Sequence, residues 1–434
     1  APTDQAPTAV PIALVLAGGA VFSWVSITNA AHCSPQWSQD LAFFHQWVHS
    51  AANGGPWASP LILEPQGFFQ QVHTHLILPL VVGLYRVIPS QSLLLALHSF
   101  VVACTVWPAF RLAERAGGFR HALFVSLALL AFGPFQAVAV ADFRPIGLVM
   151  PALTGIWLAA HKGCAKGAVA FSLLALLARQ DAVYLVGASG AVLTVLPWGE
   201  NTRRVGMSVA SIGVAGFVAF ALLKPEMFFH INLTGQSTLP TGAELWANRA
   251  SFGLAFLLSG WWVGVLTPAP LLAAMPVLWG MMTTGREWHI LTGPGAHHHA
   301  FWLPFVVVAA TVAAARVPKR FGGPLLLVLG WLAVPHPTLA PERPDLERLI
   351  QAVPSDARVA ADYDTIHRFS GRAVLWNIDQ LYVEERPRHW TNDWPLTGEM
   401  VDVVVAPHDH ALVERLSEWH VVHRSQSHVV LRQP

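Results

Sequence analysis

The sequence predicts a mainly α-helical, polytopic membrane protein with a small soluble α/β domain at its C-terminal end. Three observations predict it. Only 12% of the 434 residues are charged and 54% are hydrophobic, where an ordinary soluble domain carries about 25% charged residues. Apolar runs recur from residue 10 to about 334, many of them near the ~20 residues that a helix needs to cross a hydrocarbon core of about 30 Å. Beyond residue 335 the composition turns abruptly proline-rich and charged.

In chain order, hydropathy places membrane helices near 10–28, 91–110, 121–140, 145–161, 168–178, 182–198, 206–223, 251–267, 270–284, 301–315 and 322–334, about eleven spans in all. The leader APTDQAPT has no basic region and no small-x-small site follows it, so the first run reads as a retained helix rather than a cleaved signal. Arg111, Arg115, Arg120, Lys162, Lys166, Arg203, Arg204, Arg316, Lys319 and Arg320 then all fall on one side of the membrane. By the positive-inside rule that side is cytoplasmic, which puts the N-terminus inside and the C-terminal domain outside, as expected of a bacterial inner-membrane protein. The long external loop 29–90 contains two apolar but interrupted stretches, 38–50 and 73–88, that suit helices lying at the interface. Trp37, Trp47 and Trp57 favour that depth.

Residues 1–334 thus form a transmembrane domain and 335–434 an extracytoplasmic one. In the latter, ERPDLERLIQ (342–351) and DHALVERLSE (409–418) have helical periodicity. RVAA (358–361), AVLWN (373–377) and VDVVVA (401–406) read as buried strands, and HVVHR with HVVLR as a hairpin.

The polar residues of the outer loops are the candidates for chemistry. Asp40, in SPQWSQDLAFFHQW, is flanked by aromatics, so its ionised form is partly desolvated, a condition that tunes a carboxylate towards general-base work. The plainer reading is a cap for the helix LAFFHQWVH. Asp142 and Arg144, in ADFRP, either grip a phosphate through the planar guanidinium or form an ion pair beside Pro145, which starts the next helix. Arg179 and Asp181, in ARQD, interrupt an apolar stretch, where charges face a cavity or a partner. His73 and His75 in VHTH, and His297 and His298 in GPGAHHHAFW, suit hydrogen bonds to a headgroup or sugar better than metal ligation, because an HxH spacing places two side chains poorly on one helical face. No cofactor is expected, and a divalent metal finds no support.

Several classes are excluded or weak. There is no P-loop, GxGxxG, GxSxG or HExxH motif. A net charge of +1 gives no nucleic-acid footprint. Cys33, Cys104 and Cys164 offer no disulfide framework, Asn232-Leu-Thr234 is a weak glycosylation match, and no pair of broken helices in matching halves suggests a transporter.

The order of QDLAFFHQW, HTHLILPLVVGLYRVIPSQSLLLALHSF, FGPFQAVAVADFRPIGLVMP, LLALLARQDAVYLV and HHHAFWLPFVVVAA resembles the membrane glycosyltransferases of the GT-C class. It is closer still to a large bacterial family of multi-pass membrane proteins placed near them. The resemblance implies an inverting transfer of sugar from a polyprenyl-phosphate donor to an acceptor outside the cytoplasm, with Asp40 as catalytic base. It implies that Arg144, Arg179 and Arg286 hold the phosphate and that Asp142 and Asp181 shape the pocket. The partners implied are a lipid-linked sugar, an acceptor and membrane lipids. The chain departs from the family at two points: Arg144-Pro145-Ile146 stands where relatives carry His-Pro-Glu, and Arg179-Gln180-Asp181 where they carry Lys-Glu-Asp. Each departure removes a carboxylate from the outer face. They leave a rival expectation, an inactive GT-C-like subunit that scaffolds a membrane complex and uses its 18 tryptophans for protein contacts.

Overall fold

The computed structural model describes residues 7–33, 38–57, 59, 61, 73–196, 199–223, 246, 250, 261–283, 296–317, 319–332, 336–362, 364–372, 374–378 and 401–434. The helices run in the order α1 (Ala9–Ala31), α2 (Ser38–Ala52), α3 (Leu78–Val87), α4 (Gln91–Ala103), α5 (Val106–Gly117), α6 (Phe119–Leu130) and α7 (Gly133–Ala139). They continue with α8 (Val149–His161), α9 (Ala165–Ala178), α10 (Ala182–Val195), α11 (Glu200–Leu223), α12 (Pro268–Thr283), α13 (Leu303–Ala314) and α14 (Lys319–Leu332).

Among the described residues, three helical runs are long and apolar enough to span a membrane: α1, the run Gln91–Gly117 made by α4 and α5, and α11. The span expected at 121–140 is instead a pair, α6 and α7, bent by 64°. The break falls at Ala131–Phe132, and Gly133-Pro134 opens α7, where Pro tolerates the first helical turn but cannot continue the previous helix. Helices α8, α9 and α10 have 13 or 14 residues each, only about 20 Å of rise. Among the described residues the eleven full spans read from hydropathy are not reproduced one for one: half-length apolar helices replace several of them, and most of the span expected at 251–267 lies outside the described residues.

These helices share one apolar core built from Val102, Val106, Phe135, Trp157 and Phe305, among others. Helices α10 and α11 approach closely enough to require glycine. A Cβ on Gly190 would lie 2.2 Å from the backbone nitrogen of Ala210, and one on Gly206 2.5 Å from that of Thr194, the close contact that small residues permit between membrane helices.

The C-terminal part follows its sequence pattern. Helix α15 (Pro344–Gln351) buries Leu346 and Leu349. Strands β1 (Val359–Ala361), β2 (Leu375–Asn377), β3 (Val403–Pro407), β4 (His420–Arg424) and β5 (His428–Arg432) form one sheet in the order β2-β1-β3-β5-β4. Pairing is parallel for β2-β1-β3 and antiparallel for β3-β5-β4. Helix α16 (Ala411–Arg415) is shorter than the periodicity of 409–418 implies.

The sheet domain docks on the outer helices through a second core. Leu41, Phe44 and Trp47 of α2, with Leu78 and Val81 of α3, pack in one cluster with Val359, Ile366, Phe369 and Val403. Trp47, placed by its sequence at the membrane–water boundary, is instead 1% exposed inside protein. The C-terminal end of α1 is tied to the same domain. Asn29 donates to Thr338 O and accepts from Ala340 N, and His367 Nε2 lies 2.7 Å from Ala30 O. At the opposite end of α1, Arg111 donates to Thr8 Oγ1, so the basic residues of the α5–α6 corner lie at the other end of the bundle from the sheet.

Two neutral histidines hold this docking. Ser370 Oγ donates to His367 O, leaving it to accept from His45 Nδ1 at 2.7 Å; His45 Nε2 then accepts from Tyr85 OH at 2.7 Å. Burial, with His49 and His367 adding repulsion, pushes His45 down from 6.5 to about 3, and burial pushes His367 down to about 4. The undocked side chains take up protons below about pH 6.5 that the docked ones refuse, so docking is complete above that pH and is lost as pH falls towards 4 and 3. Hydrogen exchange of α2 amides, corrected for intrinsic rate, is expected to accelerate over that window. In His45→Gln the acceleration should shrink, and a flat profile in the native chain would contradict the assignment.

Candidate functional site

The sheet-side ends of α2, α4, α7 and α9 converge under the docked domain. Helix α7 ends at Ala139, and its last carbonyls, which have no partner within the helix, are met by α4. His98 Nε2 donates to Val138 O at 2.8 Å and Ser99 Oγ to Ala139 O at 2.8 Å. On its other side the His98 ring places Nδ1 3.1 Å from Arg144 O and 3.4 Å from Arg144 N, so it touches both polar groups of the Arg144 backbone. Gly147 packs against that ring, where a Cβ would lie 2.8 Å from Cε1. Arg144 itself is extended (φ −144°, ψ 129°), as the residue before a proline prefers. The ADFR segment is thus clamped, and its side chains have fixed directions.

Those directions bring three predicted residues together. Arg144 Nε donates to both oxygens of Asp142, at 2.9 and 3.0 Å, and Arg144 Nη2 pairs with Asp40 Oδ2. The Asp142 side chain is 0% exposed and that of Asp40 is 40% exposed, so one carboxylate is the buried anchor and the other faces solvent. Helix α2 begins at Ser38, which puts Asp40 in the first turn, where the helix dipole favours an acid, and not at the N-cap. The guanidinium beside Asp40 offsets the charge that its aromatic surroundings would otherwise leave uncompensated.

A second group forms where residues 73–77 cross the end of α9. His75 Nδ1 donates to Ala178 O at 2.7 Å, and Ile77 N to Leu177 O at 2.9 Å. Arg179 Nε donates to Asp181 Oδ2 at 2.9 Å, Arg179 Nη2 to His73 Nε2 at 2.7 Å, and the guanidinium lies 5.3 Å over the Phe301 ring, a cation–π distance. Thr74 N donates to Gln180 Oε1, and the Gln180 amide nitrogen lies 3.0 Å from His73 Nδ1. Asp181 Oδ1 is buried and has no hydrogen-bond partner among the described residues. Phe44 links the two groups, edge-on to His75 at 5.5 Å and to Phe143 at 5.8 Å.

Six residues marked in the sequence therefore sit in two adjoining ion-pair groups, Asp40–Arg144–Asp142 and Arg179–Asp181–His73, with His75 beside them. His298 lies on the 3₁₀ turn Ala296–Phe301 that delivers Phe301. The side chain of His297, and the whole of Arg286, lie outside the described residues. Residue-by-residue reading missed His98, Phe44 and Phe301, and named Gln180 only as part of the ARQD turn. A histidine inside the apolar run 91–110 was the available signal, since polar groups at that depth face a cavity or a partner.

Next to Arg144 opens an apolar cavity of about 250 Å³. Ile77, Leu80, Val81 and Leu84 form one wall, Leu97, His98 and Val101 another, and Phe143, Arg144, Pro145, Leu148 and Leu174 the rest. Leu80 is 70% exposed and Leu84 39%, so the groove opens on the apolar outer surface of the bundle. The lining is almost wholly apolar, which suits a hydrocarbon chain, and Arg144 is the one arginine among its residues.

Comparison with solved structures defines the class of fold. ArnT from Cupriavidus metallidurans, crystallised with undecaprenyl phosphate, superposes with a TM-score of 0.57 over 97% of both chains at 13% identity, and its apo form with 0.55 at 14%. The apo oligosaccharyltransferase of Archaeoglobus fulgidus gives 0.52 at 10% identity, covering 91% of this chain and 69% of its own. The fold is that of the GT-C glycosyltransferases. Within it, residues 38–363 match the family described as Predicted membrane protein (DUF2079), and the chain belongs to that family. No curated protein matches the sequence.

Proposed function

We propose that the chain is an inverting glycosyltransferase that uses a polyprenyl-phosphate sugar on the extracytoplasmic face of a bacterial inner membrane. The observation that supports this reading is an apolar groove with Arg144 among its lining residues, the same arginine that pairs with the solvent-facing Asp40. The polyprenyl chain lies in the groove and its phosphate meets the guanidinium. Asp40 takes the proton of the acceptor hydroxyl as the acceptor oxygen bonds to the anomeric carbon. The carbon–oxygen bond to phosphate breaks, its electron pair stays on the phosphate oxygen, and Arg144 stabilises the charge developing there, the contribution that usually dominates such catalysis. Arg179 adds positive charge nearby, Asp142 and Asp181 orient the arginines, and His73, His75 and His298 serve sugar or headgroup; Arg286 and the His297 side chain, assigned the same roles by the resemblance, lie outside the described residues. Residues 1–334 form the membrane domain and 335–434 an outer domain that holds α2, and with it Asp40, in place.

One observation favours the rival reading of an inactive scaffold: Asp40 is paired with Arg144 and is not a free base. A transfer assay separates the two. Membranes containing the chain, supplied with polyprenyl-phosphate-linked sugars, are expected to release polyprenyl phosphate at a rate that falls when Leu97→Trp fills the groove. Release no faster than in membranes lacking the chain would set the transferase reading aside.

A further inference from the structure

The pairing of Asp40 with Arg144 couples the base to the carrier. We infer that Arg144 is an exchange point: the carrier's phosphate displaces Asp40 from Nη2, and only then is Asp40 free to accept a proton. The inference rests on the transferase reading and adds an order of events to it.

The asymmetry of the triad carries it. Arg144 Nε is fixed by both oxygens of a fully buried Asp142, and the backbone of Arg144 is held by His98. The side chain of Asp40 is 40% exposed. A ligand approaching the guanidinium therefore competes with one anchored and one loosely held carboxylate. Breaking the buried pair strands a charge away from water, whereas a solvent-facing pair is worth little and its carboxylate rehydrates on leaving. A phosphate offers the planar fork a second acceptor group, and burial of the lipid chain in the adjoining groove holds that phosphate at Nη2.

Charge balances through the cycle. Burial pushes the Asp142 carboxyl up and the Arg144 guanidinium opposes it; with both carboxylates ionised the three groups sum to one negative charge, which repels a phosphate until Asp40 moves aside. During transfer the acceptor's proton passes to Asp40 while the donor phosphodiester, with one negative charge, becomes a phosphomonoester with up to two. Negative charge thus leaves Asp40 and appears on the phosphate that has taken its place at Arg144 Nη2. Departure of the lipid phosphate lets Asp40 release its proton to water and pair with Arg144 again. Asp142 and His98 are positioning residues in this scheme.

Carboxyl labelling tests it on the purified full chain in detergent, with undecaprenyl phosphate as the probe and its retention by the protein measured separately. A water-soluble carbodiimide with an amine tags carboxyls that are free to take a proton. Tagging of Asp40 is expected to rise about fivefold at saturating lipid, the factor that an ion pair of this exposed kind controls. In the double variant Asp142→Asn, Arg144→Gln, which removes the buried charge together with its counter-ion, tagging should be high without lipid and indifferent to it. Retained lipid with unchanged or lower tagging of Asp40 in the native chain overturns the exchange and leaves the transferase reading standing. No retained lipid at all is a different result, which removes the transferase reading and the exchange with it.

Discussion

Asp40→Asn is expected to reduce sugar transfer by about 10²- to 10⁴-fold, the contribution of a positioned general base, while the folded chain persists. The substitution keeps the size and polarity of the side chain. It removes the charge from a 40% exposed position, where such changes cost about 1 kcal/mol or less. Binding of the lipid carrier should survive, because Arg144 then has one competitor fewer for its Nη2 group. Loss of kcat with retained carrier binding is thus the expected signature in membrane assays. Asp40→Glu should recover part of the rate. Equal activity of the Asn variant and the native chain would remove Asp40 from the chemistry.

Arg144→Ala is expected to damage the fold as well as the function. The Asp142 side chain is 0% exposed and its charged partner is Arg144, so truncation strands a buried carboxylate, a change that typically costs about 3–5 kcal/mol. Thermal unfolding in detergent should show a large fall in midpoint, and pairing the change with Asp142→Asn should recover much of it. Reversal by the second substitution is the diagnostic: a merely lost phosphate ligand would not be restored by neutralising Asp142. An unaltered midpoint for Arg144→Ala would mean that Asp142 is not held as a buried anion.

Much of the fold was legible in the sequence because the relevant forces are local and periodic. Charge scarcity and apolar run length are enough to announce membrane helices. The short apolar run in VDVVVA and the paired HVVHR and HVVLR announce a sheet with an antiparallel hairpin, as found in β3, β4 and β5. Helix length was less legible, because hydropathy continues through a bend. The run 121–140 is uniformly apolar, yet Gly133-Pro134 divides it into α6 and α7. The location of Trp47 was misread for a related reason: its neighbours are apolar in sequence, and whether they meet lipid or protein depends on Val359, Ile366 and Phe369, some three hundred residues away.

The site divides in the same way. Asp40, Asp142, Arg144, Arg179 and Asp181 stood out because charges are costly in apolar surroundings. Their partnerships did not. Asp142-Phe143-Arg144 reads as a local pair, and nothing in the spacing places Asp40, about a hundred residues upstream, on the far side of the same guanidinium. The anchoring role of His98 comes from one carbonyl at the end of α7, Val138 O, and a glycine, Gly147, that makes room for its ring. Such contacts are long-range and leave no periodicity to read.

The most direct test of the central claim, that the groove beside Arg144 receives a lipid carrier, is a structure of the full chain with undecaprenyl phosphate. The account predicts a lipid chain running between α3 and α4, past Leu84, Leu97 and Val101, with its phosphate within hydrogen-bond distance of the Arg144 guanidinium. A carrier bound elsewhere, with the groove empty and Arg144 still shared by its two carboxylates, would contradict it.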